Sequence, residues 1–370
     1  MTSFRYVIIG AGFAGASTAC HLARRGAREI VLLEQEKVAG VHSSGRNASM
    51  IRQVVSEPAL IPLTKEGASF LRSLPADWPV PVSFQRNGSL LLGSGEGWKR
   101  LKREAETGRQ TEIEVEIWSR ERARDYVPVL KDADFEGAVW CPTDGVVDIH
   151  ALLSGYLKAA TALGVQVRYG CSVQGVQVEN GRAVGVVTSD GLIRAEAVVN
   201  AAGPWAGIVA EMAGAVAAPL RSCRRHLFVT APLAWVDPGW PFVWDDAHGL
   251  YFRPDSGGLL LCPCDQDEMA PGEPPTDNRI AELLAEKIRQ RFPAISDVAI
   301  RKSWAGLRTL SPDGRFVIGW DPKISGFFWV AGLGGHGVTT SPSVGRLAAA
   351  LILDPGDKSG EPFSPGRFLR

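Results

Sequence analysis

The chain reads as an α/β protein built on a Rossmann-type dinucleotide-binding domain, and three observations predict it. At 370 residues it is longer than one hydrophobic core usually serves, which leaves room for a cofactor domain and a substrate domain. Its opening stretch, RYVIIGAGFAGASTACHLARRGAREIVLLE, sets an apolar run, a glycine cluster, a helix-forming run and a second apolar run in that order. Two later segments, AVVNAAGPWAG and FFWVAGLGGHGVTTSPSVG, repeat the sequence of apolar strand, small-residue turn and helix start.

In the opening unit, Tyr6 to Ile9 suits a buried parallel strand, Ala14 to Ala23 a helix closed by Gly26, and Glu29 to Leu33 the second strand. Gly10-Ala11-Gly12-Phe13-Ala14-Gly15 between them is a complete G-x-G-x-x-G. The first glycine permits the turn, the second lets a pyrophosphate approach the backbone, and the third lets helix and strand touch. The helix N-terminus offers unpaired N–H groups to phosphates. Glu34 ends the second strand, about 20 residues on, where an acid bonds ribose hydroxyls.

The segment after Glu34 selects between dinucleotides. Instead of a helix, residues 41–49 read VHSSGRNAS. Ser43, Ser44, Gly45, Arg46, Asn47, Ala48 and Ser49 supply hydroxyls, a guanidinium and close-approach backbone, as a chain beside the pyrophosphate, ribityl and ring of FAD requires. In residues 327–350 the aromatic strand leads through a glycine-rich loop to a helix whose N-terminus is expected to face the flavin's pyrimidine edge.

Composition narrows the remaining choices. Hydrophobic residues at 45%, charged residues at 22% and 40 basic against 40 acidic side chains leave no net field for nucleic acid or an anionic membrane. The six cysteines are scattered apart from Cys262-Pro-Cys264, a pair too isolated for zinc, so reduced thiols and no metal are expected. The glycine-broken N-terminus lacks the pattern of a secretory signal, and no apolar run reaches the ~18 residues of a membrane span. A soluble cytoplasmic protein is the expectation.

The segments GAGFAGAST, VHSSGRNAS, NAAGPWA, CRRHLF, LYFRPDSGGLLL, SWAGLRTLSPDGRFVIG and GFFWVAGLGGHGVTTSPSVG run over almost the whole chain. Together they resemble the D-amino-acid oxidase superfamily of FAD-dependent oxidoreductases, on the side of D-arginine dehydrogenase and glycine oxidase. The resemblance implies a glutathione-reductase-like FAD domain (1–80, 148–215, 309–370) interrupted by an α+β substrate domain (81–147, 216–308). The inserted pieces read as strands in GSLLLG, GAVWCP, HLFVTAP and LYFRP with a helix over 277–291, forming an antiparallel roof. Asn180-Gly181 marks a hairpin, and the tail from Asp354 is expected to lie on the surface or fray. Beyond the glycine motif and the polar stretch, the resemblance adds Gln35, Val173, Ala202, Gly203, Trp205, Gly334, Gly335, His336, Gly337, Val338, Thr339 and Arg308 to the FAD contacts.

For the substrate, the resemblance aligns Arg308 with the family's carboxylate-binding arginine, Tyr251 with the tyrosine that shares the carboxylate, and Arg224 with a second arginine, for which Arg225 is a substitute. A guanidinium takes a carboxylate bidentately and so fixes Cα–H against the flavin. Three departures bear on specificity. Gly88 or Ser89 stands where an arginine-specific relative has an acid, Met50 replaces that relative's flavin-loop histidine, and Val55 or a neighbour stands in place of its lid tyrosine. The pocket is therefore expected to take small or apolar side chains, with Trp235, Trp240 and Trp244 as candidate lining. Gly306 stands where the sarcosine oxidases carry the flavin-linking cysteine, implying noncovalent FAD. The expected reaction is oxidation of a D-amino acid or glycine-like substrate to a 2-oxo acid and ammonia, with oxygen or a quinone as acceptor. Alternatives are a secondary amine, a 2-hydroxy acid, or service as the flavin subunit of a hetero-oligomer rather than as a monomer or homodimer.

Overall fold

The computed structural model describes residues 2–369. The Thr2–Ile9 strand lies between Ile30–Leu33 and Gly191–Asn200, parallel to both, and Gln166–Arg168 extends the sheet beyond Ile30–Leu33. Ile30–Leu33 is buried throughout, as the interior of a parallel sheet requires. The ten-residue Gly191–Asn200 strand forks. Its first half pairs antiparallel with Arg182–Thr188, and its last residues pair parallel with Phe327–Ala331. Helix Phe13–Arg24 packs against Ile149–Ala162 and Ser341–Leu353 on one face of this sheet. The Asn180-Gly181 turn has positive φ at both residues, 50° and 73°, which matches a hairpin of type I′.

The second sheet runs, strand by strand, Ile300–Leu310, Arg221–Thr230, Gly258–Cys262, Leu250–Asp255, Phe242–Asp245, Ser89–Gly93, Gly137–Cys141, Glu116–Ser119. It is mixed rather than purely antiparallel, because Phe242–Asp245 runs parallel to Ser89–Gly93 where the two inserted pieces meet. Three short strands, Met50–Ile51, Gly145–Val147 and Phe84–Gln85, form a small third sheet.

The first inserted piece also holds helices that its strand-like pattern concealed, Gly95–Gln110 and Arg120–Tyr126. The former is a charged helix that buries only Trp98, Leu101, Ala105 and Gly108, a narrow stripe at helical spacing. Helix Ile61–Arg72 precedes the insertion. The tail lies against the body: Phe363 is buried beside Phe316, and Arg367 bonds Asp313 at 2.7 Å and the Phe316 carbonyl at 3.0 Å.

Candidate active site

A cavity of about 370 Å³ runs from the end of the second strand, past the glycine turn, to the underside of the second sheet. At its outer end the Glu34 carboxylate is fixed by two backbone donors, Ala11 N–H at 2.9 Å and Glu36 N–H at 3.0 Å. Helix Phe13–Arg24 begins at this wall with Gly12, which has no side chain to cap it, and no acid in its first turn, so its positive end faces the cavity. Gly10 has φ +100°, and a Cβ at Gly15 would sit 1.9 Å from the Gly10 carbonyl oxygen, so strand and helix meet here through bare backbone. This end fits a dinucleotide, with an acid for a ribose and open N–H groups for a pyrophosphate.

The polar stretch 41–49 joins that helix to the second sheet. Ser44 Oγ accepts from Phe13 N–H at 3.0 Å, and Ser43 donates to the Leu307 carbonyl at 2.6 Å. Arg46 donates to the Val41 carbonyl at 2.9 Å and pairs with Glu273 at 2.5 Å, while Asn47 donates to the Ser44 carbonyl at 2.8 Å. Polar side chains replace a helix here because this segment bonds backbone on both sides while forming one wall of the cavity.

The inner end holds Arg308 and Tyr251. Among the described residues the Arg308 side chain makes no hydrogen bond or ion pair, and the fully buried Tyr251 hydroxyl has no partner. Desolvation, reinforced by the nearby Arg225 charge, pulls the Arg308 guanidinium below its ordinary range. Burial pushes the Tyr251 phenol up. Trp244 packs on Tyr251 at 4.7 Å, and the Arg52 guanidinium sits 4.8 Å from the Trp244 ring. Arg225, 7% exposed, is on the same wall and donates through Nε to the Asp265 carbonyl and through Nη2 to Gln266 Oε1 at 3.1 Å.

Of the residues singled out from the sequence, this cavity brings together Gly10, Gly12, Phe13, Ala14, Glu34, Gln35, Ser43, Ser44, Arg46, Asn47, Ala48, Val173, Ala202, Gly203, Trp205, Tyr251, Arg308, Gly334, Gly335, Gly337 and Val338. Five others lie off its wall. Arg224 is turned to the opposite face of its strand, where it bonds Asp267 at 3.1 Å, Asp277 at 3.2 Å and the Pro275 carbonyl; strand alternation gives the cavity to Arg225. Gly15 lies beneath Gly10 and serves packing. Ser49, at φ +61°, turns toward a separate polar pocket with Arg253 and Lys302. The Thr339 hydroxyl is occupied with Arg52 N–H at 3.2 Å. His336 is half-buried off the wall, and desolvation with the Arg52 and Arg308 charges pushes its imidazole down to about 3. The wall is formed by the glycine turn ahead of helix Ser341–Leu353, not by the helix N-terminus itself.

Of the three tryptophans, Trp235 is 44% exposed, Trp240 is in a hydrophobic core and only Trp244 reaches Tyr251. Two histidines stand out in the structure although the motifs that contain them assign them no site role, His42 of VHSSGRNAS on the cavity wall and His226 of CRRHLF behind it. His42 pairs with Glu36 at 2.9 Å and stands edge-on to Trp205, its Nδ1 unpartnered. Counting strand parity from Arg308 through its pairing with CRRHLF is the signal that separates Arg225 from Arg224.

The family model described as "DAO: FAD dependent oxidoreductase" matches residues 5–351. Among curated relatives, 4-methylaminobutanoate oxidase (formaldehyde-forming) of Paenarthrobacter nicotinovorans is 27% identical over 95% of this chain and 44% of its own length. Sarcosine oxidase subunit beta of Rhizobium meliloti is 28% identical over 98% of this chain and 88% of its own. The chain spans less than half the length of several curated relatives that it matches. Among solved structures, L-proline dehydrogenase from P. horikoshii superposes with a TM-score of 0.90 at 26% identity, covering 99% of this chain and 98% of that one.

Proposed function

Because the chain belongs to the DAO family of FAD-dependent oxidoreductases, we propose that it oxidises the Cα–N bond of a small amine that carries a carboxylate. The observation that carries this reading is the pair of donors without acceptors, the half-buried Arg308 guanidinium and the buried Tyr251 hydroxyl, at the inner end of the dinucleotide cavity. A partly desolvated guanidinium and a buried phenol left unpaired are unfavourable, and a carboxylate satisfies both. FAD, when bound, supplies the two-electron acceptor for the substrate's α-hydride. Arg308 and Tyr251 orient the carboxylate, with Arg225 as the second guanidinium in place of Arg224. The amine loses its α-hydride and an N–H proton to become an imine, which water converts to a carbonyl product and a free amine.

The resemblance carried by the sequence motifs favours a D-amino acid or glycine, giving a 2-oxo acid and ammonia. The relatives named for sarcosine, 4-methylaminobutanoate and L-proline give weight to a secondary amine. The products separate the two readings. Ammonia from glycine or a D-amino acid supports the first, formaldehyde from an N-methyl amine supports the second, and turnover of neither class removes both. Oxygen against a quinone as acceptor is read in the same assay.

We assign the FAD duties to segments 1–80, 148–215 and 309–370 and the substrate duties to 81–147 and 216–308. FAD binding is noncovalent in this reading. At Gly306 a Cβ would meet the Arg46 carbonyl oxygen at 2.6 Å, so no reactive side chain fits there. Acid precipitation is expected to leave a colourless pellet and a yellow supernatant, and a yellow pellet would contradict this. The extensive match to a sarcosine oxidase subunit beta favours a second reading, in which the chain works with a partner subunit. Activity of the purified chain as a monomer or homodimer would exclude that requirement. Among the described residues no helix is long and apolar enough to cross a membrane.

A further inference from the structure

We propose that His226 and Asp265 are positioning residues that aim Arg225 at the substrate carboxylate, an inference that rests on reading the inner cavity as a carboxylate clamp. Strand Arg221–Thr230 places Arg225 on the cavity face and His226 on the other, where His226 is fully buried. Asp265 belongs to the irregular segment between strand Gly258–Cys262 and helix Asn278–Arg291. Its carboxylate meets two donors from one residue, the His226 backbone N–H on Oδ1 at 2.9 Å and the ring Nδ1 on Oδ2 at 2.7 Å.

The other ring nitrogen, Nε2, faces the backbone N–H of Asp277 at 3.0 Å. A backbone N–H only donates, so Nε2 keeps its lone pair and the ring proton sits on Nδ1. Asp265 then accepts at both oxygens. Burial opposes its ionised form, but the bonds from His226 outweigh burial and hold the carboxyl below its ordinary range.

The same stretch of chain grips Arg225. The Asp265 carbonyl accepts from Arg225 Nε, and Gln266 Oε1 accepts from Nη2 at 3.1 Å. Arg225 Nη1 has no partner among the described residues, which leaves it for a ligand. The imidazole thus fixes Asp265, Asp265 and its neighbour fix the guanidinium, and its carboxylate supplies a nearby counter-charge.

Asp265→Asn tests the chain of contacts because an amide offers only one accepting oxygen. Moving the ring proton to Nε2 to restore the Nδ1 bond would set it against the Asp277 N–H. Acetate, a carboxylate with no oxidisable amine, serves as the probe, and its binding to the FAD-loaded protein is followed by perturbation of flavin absorbance. In Asp265→Asn the acetate Kd is expected to rise about tenfold or more, the scale of losing an aligned charged hydrogen bond. Arg224→Met is the control, since Arg224 anchors the same segment through Asp267, Asp277 and the Pro275 carbonyl without touching Arg225. It is expected to keep the acetate Kd within about twofold of wild type, well short of a lost charged hydrogen bond.

His226→Asn retains a donor near the Nδ1 position and is expected to bind acetate better than His226→Leu. This pair carries the test if Asp265→Asn does not fold. Nitrogen NMR of the labelled wild-type histidine is expected to show the proton on Nδ1. Wild-type acetate affinity in Asp265→Asn, an equal loss in Arg224→Met, or a proton on Nε2 would each overturn the inference. Failure of the wild type to bind acetate would instead overturn the clamp reading on which it rests.

Discussion

A partly desolvated guanidinium with no acceptor is an unfavourable arrangement for a folded chain, and Arg308, half-buried at the cavity wall, lies beside a second unpaired donor, the buried Tyr251 hydroxyl. Removing either should therefore act oppositely on stability and on binding. Tyr251→Phe deletes a buried hydroxyl without a partner and is expected to raise unfolding free energy by about 1 kcal/mol, while weakening substrate or acetate binding several-fold. Arg308→Met should weaken binding by about 2–3 kcal/mol, roughly 30- to 150-fold, through loss of charge-assisted bonds. Parallel chemical denaturation and acetate titration check both variants; a Tyr251→Phe protein that loses stability and keeps its affinity would mean the phenol serves the core. Arg308 and Tyr251 are legible in the sequence because each stands in a longer motif, WAGLRT and GLYFRP. Arg225 is not, because adjacent arginines differ only in which strand face they occupy, and that is set by pairing with a strand more than eighty residues away.

At the scale of elements, the junction of strand Ser89–Gly93 with the short third sheet hides a carboxyl. The sequence at Gly88 and Ser89 shows no acid, yet Ser89 Oγ donates to the fully buried Asp144 at 2.7 Å, and Gln53 donates to the same side chain from its backbone at 3.1 Å and its amide at 2.9 Å. Desolvation pushes Asp144 up to about 6 against the opposing pull of these bonds. The folded state thus keeps a proton that the unfolded chain has lost between about pH 4 and pH 6, so this group lowers stability as pH rises through that window. Asp144→Asn is expected to gain about 2–3 kcal/mol over wild type between pH 4 and pH 7. Urea denaturation at both pH values checks this, and an unchanged difference would contradict the raised value. The Gly95–Gln110 helix escapes a sequence reading for a related reason. Only four of its sixteen residues face inward, and their partners come from the inserted strands.

Across the whole molecule, one cavity is walled by residues from both ends of the chain, from Ile9 to Val338, and connects a helix N-terminus without an acid in its first turn with an unpaired guanidinium. The dinucleotide end is legible from local spacing because the G-x-G-x-x-G turn and Glu34 belong to one contiguous unit. The inner end is legible only through longer motifs, because three strands of the second inserted piece, Arg221–Thr230, Leu250–Asp255 and Ile300–Leu310, assemble it across long stretches of sequence. Whether that cavity holds FAD beside a carboxylate-bearing amine is tested most directly by anaerobic mixing of the yellow protein with paired amines. Glycine, D-alanine, sarcosine and proline would each be set against the matching amine lacking the carboxylate, with absorbance followed at about 450 nm. The account predicts bleaching by at least one acid of the series and little or none by its decarboxylated partner. Equal bleaching by the two, or none by any of the acids, would contradict it.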